Sequence, residues 1–130
     1  MVIFIYNQNQ VIMKPLISSK AAGIIYALAI GVFGILHFKN AYAMKDSVPD
    51  YMPGDGTIWI YITGACLILA AISIIINKFT RLACYLLAAM FIIFVFTLHI
   101  EPLKSGVYTH LLKDTAMAMG AILIGNNSAK

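Results

Sequence analysis

The sequence predicts an all-α fold, an integral membrane four-helix bundle with both termini on the cytoplasmic side. Three observations carry that expectation: 62% of the 130 residues are hydrophobic, only 11% are charged, and the apolar residues gather into four long runs. Soluble domains carry about 25% charged residues, and a chain with so few ionisable groups cannot cover a water-facing surface. Lipid is therefore the expected solvent for most of the chain, which excludes both a soluble globular enzyme and a disordered polypeptide.

The runs are residues 21–38, 57–76, 82–100 and 107–125. Crossing a hydrocarbon core takes roughly 20 apolar residues in a helix, the form that satisfies every backbone group without water. The first three runs contain no Asp, Glu, Lys or Arg. The fourth carries His110, Lys113 and Asp114 in its first half and is small and apolar thereafter, so it reads as a span whose polar face turns inward. The expected organisation is an N-terminal cytoplasmic segment (1–20), one four-helix domain (21–125) and a short tail (126–130).

The segment before the first run, MVIFIYNQNQVI, is too short to span and lacks the basic start of a signal peptide. Met13 precedes Lys14 and the first run directly, which makes it a candidate translation start. The connection 39–56 is the one long loop, and Pro49, Pro53, Gly54 and Gly56 make it irregular. Tyr42, Tyr51, Trp59 and Tyr61 cluster around it, at the level where amphipathic rings meet lipid headgroups; ligand stacking is the alternative use for them.

Four spans put both termini on the side of the second connection. That side carries Lys14, Lys20, Lys78, Arg81 and Lys130, against Lys39, Lys45 and Lys104 on the other, so the positive-inside rule makes it cytoplasmic. The formal net charge of +4 is dispersed, and no nucleic-acid partner is implied. Small residues at Ala27 and Gly31, and at Ala116 and Gly120, predict that the first and fourth helices pack together. The similar endings Leu36-His37-Phe38-Lys39 and Leu98-His99-Ile100-Glu101 hint at a duplicated helical hairpin.

In this topology His37, His99 and His110 fall at one depth, toward the outer face, with Glu101, Lys113 and Asp114 nearby. His110 and Asp114 are four apart and share a helix face. Lys113 and Asp114 lie roughly 9 to 11 Å in from the start of the run, where an unpaired charge costs at least about 2.5 kcal/mol. Two readings follow. Either the charged pair fixes helix packing, or these residues with Tyr61 line a polar pocket that hydrogen-bonds a quinone carbonyl, relays protons or holds a metal. Metal and haem fit less well than quinone, because no paired ligand motif is present and haem would need histidines facing one another near the membrane edge. Cys66 and Cys84 form no C-x-x-C, and no nucleophile stands beside a His and an acid.

Several short motifs in order resemble the DoxX family of small bacterial membrane proteins. They are Gly34-Ile35-Leu36-His37-Phe38, Val48-Pro49-Asp50-Tyr51-Met52-Pro53, Trp59-Ile60-Tyr61-Ile62-Thr63-Gly64, Leu98-His99-Ile100-Glu101-Pro102, and Leu111-Leu112-Lys113-Asp114-Thr115-Ala116 followed by Gly120-Ala121. The resemblance covers roughly residues 21 to 125. It implies a four-helix bundle in the bacterial cytoplasmic membrane and an association with quinone-linked oxidase, thiosulfate-oxidising or oxidative-stress systems. Carried over by position, its motif residues are His37, Pro49, Pro53, Gly64, His99, Lys113 and Asp114. Many relatives have a Glu three residues after the second-helix Gly, where this chain has Leu67.

The expectation is an accessory membrane subunit of a quinone-linked redox system, an oxidoreductase subunit if it takes part in catalysis at all. Its partners would be membrane lipid and a redox partner subunit, with self-association open. A small proton-coupled transporter and a membrane scaffold without chemistry are the alternatives; the first span lacks the acidic residue on which small multidrug exporters depend.

Overall fold

The computed structural model describes residues 4–7, 10–97 and 109–128. A short antiparallel hairpin comes first, β1 (Phe4–Asn7) and β2 (Gln10–Met13), with Phe4 opposite Met13 and Asn7 opposite Gln10. The sequence reading assigned no structure to this segment. Among the described residues the elements after it are all helices: α1 (Ser19–Lys39), the single turn α2 (Ala41–Met44) with a 3-10 turn Lys45–Ser47, α3 (Gly56–Ile76), α4 (Thr80–Thr97) and α5 (Thr109–Asn126).

Local chemistry sets the helix ends. Ser18 caps α1 by accepting the Ala21 N–H on its side-chain oxygen at 3.1 Å, and Asp55 caps α3 by accepting the Thr57 N–H at 3.1 Å. At the end of α3, Asn77 takes a left-handed conformation (φ 58°) that lets the Lys78 N–H return to the Ser73 carbonyl at 3.1 Å. Phe79 is also left-handed (φ 55°), and after it the buried Thr80 opens α4, so three residues reverse the chain.

Among the described residues three helices, α1, α3 and α4, are long and apolar enough to cross a membrane. The polar start of α5 leaves it outside that set, although it too exposes large apolar side chains, Leu112, Met119 and Leu123. Ile25 and Leu28 on α1, Leu69 on α3, Leu86 and Ile93 on α4, and Leu112 and Leu123 on α5 are each more than half exposed. A helix apolar on every side belongs in a protein interior or in lipid.

The four long helices share one core of Ile30, Leu67, Leu87 and Phe91 set among Ala27, Ala71, Cys84, Ala88, Ala118 and Ala121. α1 packs chiefly on α3 and α4 chiefly on α5, two helix pairs in the arrangement a duplicated hairpin would give. The backbone approach between the long helices at two glycines corrects the expected pairing of the first and fourth helices. A Cβ on Gly34 would lie 2.8 Å from the Gly64 carbonyl, and one on Gly64 would lie 3.0 Å from the Gly34 carbonyl, so it is α1 and α3 that meet backbone to backbone. Gly31 faces Ala71 of α3, and Ala116 is exposed. α1 and α5 do touch, but through a large residue: the Tyr26 ring lies against Gly120, and its hydroxyl donates to the Met117 carbonyl at 2.6 Å.

Two contacts fix which ends coincide. Arg81, at the start of α4, donates to the carbonyls of Gly125 (3.2 Å) and Ser128 (2.5 Å), placing a cation on the negative end of α5. Gly23, near the start of α1, faces Ile124 near the end of α5. The start of α1, the α3–α4 turn and the end of α5 thus lie at one end of the molecule, and the connection between α1 and α3 lies at the other.

Candidate functional site

At that other end the helices part around a cavity of about 650 Å³, within the range of roughly 300 to 1,000 Å³ typical of small-molecule sites. Each helix contributes one face. α1 supplies Phe33 and His37, one turn apart; α3 supplies Trp59, Ile60, Thr63 and Leu67; α4 supplies Phe91 and Phe94; α5 supplies Lys113, Asp114 and Met117. The loop that carries α2 closes the mouth with Met44, Asp46, Val48, Pro49, Tyr51 and Met52.

The loop is fastened at both edges. Ala41 is buried, and the Lys45 carbonyl sits so close to Gly56 that a Cβ there would lie 2.5 Å from its oxygen. Trp59 reaches back to donate its indole N–H to the Pro53 carbonyl at 2.8 Å. Lys45 lies over the exposed Tyr42 ring, 4.0 Å from its centroid.

His37 is seated by the glycine crossing: its Cβ would be 3.0 Å from a Cβ on Gly64, so no larger residue fits beneath it. Its Nδ1 lies 2.7 Å from the Phe33 carbonyl oxygen, which can only accept, so Nδ1 carries the hydrogen of this bond. Asp114 is 4% exposed, and the Lys113 ammonium lies 3.6 Å from its Oδ1 and 5.5 Å from the centroid of the Phe33 ring. Neighbours in sequence do not normally face each other on a helix. The long lysine stem allows this pair by bending back along the cavity wall, and in doing so it brings the ammonium over the aromatic face.

Of the residues singled out from sequence, His37, Lys113 and Asp114 meet in this one cavity. Tyr61 is placed elsewhere: it stacks on Phe38, centroids 5.4 Å apart, on an exposed flank. His99 and Glu101 lie outside the described residues, and of His110 only its helical backbone, within α5, is described. Among the described residues no three His, Cys, Asp or Glu side chains gather as a metal-ligand set. Cys84 is in the core and Cys66 faces outward, both as free thiols. The aromatic wall of Phe33, Phe91 and Phe94 was not singled out from sequence. Its signal was available in the one-turn spacing of Phe33 to His37 and in the pairing of Phe91 with Phe94, whose rings meet edge to face at 6.5 Å.

Fold and site together define a small helical protein with an apolar exterior and, at one end, a loop-covered chamber that combines aromatic walls with a histidine and a half-buried ion pair. Over residues 26–121 the chain matches the family model described as a domain of unknown function, DUF8561, and it belongs to that family. No curated protein and no solved structure matches it.

Proposed function

We propose that this protein is a four-span, DoxX-like subunit of the bacterial cytoplasmic membrane that serves a quinone-linked redox or oxidative-stress system by holding a quinone headgroup in the outer-end cavity. The observation that carries this reading is the make-up of the cavity itself. Aromatic and aliphatic walls suit a flat lipid-soluble ring, and His37, Lys113 and Asp114 supply polar partners at its edge. α5 would be the fourth span, its exposed Leu112 and Leu123 toward lipid and its charged pair inward. In this role the chain binds and orients; His37 takes or gives a hydrogen bond at a ring oxygen, and Asp114 with Lys113 balances charge beside it.

Native mass spectrometry of the protein gently extracted from its own membrane, with optical spectra of the same sample, tests the reading. About one quinone per chain, absent from an Asp114→Asn variant that remains folded, is the expected result. A folded wild-type protein that carries only loose lipid and binds no added quinone would overturn it.

A further inference from the structure

The polar groups on the cavity wall are unequal as hydrogen-bond partners. Thr63 and Thr97 each donate their hydroxyl hydrogen to a backbone carbonyl, Trp59 at 2.9 Å and Ile93 at 2.7 Å, and the Trp59 N–H is engaged by the Pro53 carbonyl at 2.8 Å. His37 has its Nδ1 proton held by the Phe33 carbonyl, which leaves Nε2 of the neutral ring as an acceptor. An ionised Asp114 accepts as well. Among the described residues the donors are the Lys113 ammonium beside Asp114 and the hydroxyl of Tyr51 in the exposed mouth loop, neither of them on α1 with His37.

We propose that the cavity selects the reduced, hydroxyl-bearing form of its aromatic headgroup, a quinol, over the corresponding quinone, with His37 Nε2 accepting the hydrogen bond of a ring hydroxyl. The inference rests on the quinone-linked reading above and adds which redox form is held. A quinol hydroxyl donates to Nε2 while its oxygen still accepts from a donor such as Lys113. A quinone oxygen has no hydrogen to give, and set against Nε2 it leaves two acceptors face to face. The rings of Phe33, Phe91 and Phe94 stack on either form alike, so the difference is made by the polar edge.

Anaerobic calorimetric titration of the detergent-purified full chain with a short-tailed ubiquinol and, separately, its quinone tests this. The quinol is expected to bind about tenfold tighter. In His37→Gln the amide offers both a donor and an acceptor, so the difference should shrink to about twofold or less while the circular dichroism spectrum is unchanged. Equal or tighter binding of the quinone by the wild-type protein overturns the selectivity and leaves the quinone-linked reading standing. A tenfold difference that persists in folded His37→Gln overturns the part given to His37. Binding of neither form overturns both. Should His37→Gln fail to fold, the wild-type comparison decides.

Discussion

Asp114 and Lys113 form a pair of unequal members: the carboxylate is buried and the ammonium is nearly half exposed. Removing the exposed partner leaves a carboxylate with less compensation but still within reach of other groups, so Lys113→Met should cost about 1 kcal/mol, the scale of a partly solvated pair. Asp114→Ala strips a buried acceptor from everything that donates to it and should cost more, roughly 1 to 3 kcal/mol. Reversible unfolding in mixed micelles compares the two, and a larger loss for Lys113→Met would contradict the asymmetry. Asp55 belongs to the same scale. The Thr57 backbone N–H, and then the Thr57 hydroxyl, hold its carboxyl below the usual carboxylate range. A lowered folded-state value means that the capping contribution is fully present above the ordinary carboxylate range and is lost as pH falls through the lowered value. Asp55→Asn keeps the cap without the titration, so its unfolding midpoint should fall less steeply on acidification than that of the wild type.

At the scale of elements, the glycine crossing of α1 and α3 is the feature on which the site stands. A methyl on Gly34 meets Ile68 Cγ1 at 2.6 Å and the Gly64 carbonyl at 2.8 Å, so the helices must separate; a methyl on Gly31 meets Ala71 Cβ at an ordinary 3.5 Å. Gly34→Ala should therefore destabilise by about 1 to 3 kcal/mol, whereas Gly31→Ala should be near neutral. Because His37 rides on the same crossing, Gly34→Ala should also weaken ligand binding in whatever fraction stays folded. Equal melting temperatures for the two variants would show that the helices do not cross there. This crossing also marks where sequence reasoning stopped. The three apolar helices and the meeting of His37 with Lys113 and Asp114 were legible, because length and the cost of a charge in lipid each leave a local signature. The rotation of each helix was not. In a soluble bundle a polar stripe marks the outer face, but Leu28, Leu69 and Leu86 face outward here and are as apolar as Ile30, Leu67 and Leu87 in the core. Small residues were therefore assigned to the wrong neighbour, Gly31 to α5 in place of α3, and Tyr61 was expected at the pocket when its ring lies against Phe38.

The whole molecule has two chemically different ends, and the difference predicts an orientation. One end gathers the start of α1, the α3–α4 turn and the end of α5, held together by Arg81; Lys14, Lys20 and Lys78 belong to the same end. The cavity end has Lys39 and Lys45 diluted by Asp46, Asp50 and Asp55. Arg81 bears on both folding and topology, since its guanidinium satisfies the last carbonyls of α5 and counts among the charges that resist translocation. The Arg81 end is therefore expected in the cytoplasm and the cavity outside, where an external partner would meet the loop that carries α2. Single cysteines separate the two orientations in a Cys66→Ala background, because Cys84 is 0% exposed and should not react. Asp50→Cys should be labelled by a membrane-impermeant maleimide in intact cells, and Lys78→Cys only after the membrane is opened. The opposite pattern would put the cavity in the cytoplasm, and any redox partner would then have to be sought there.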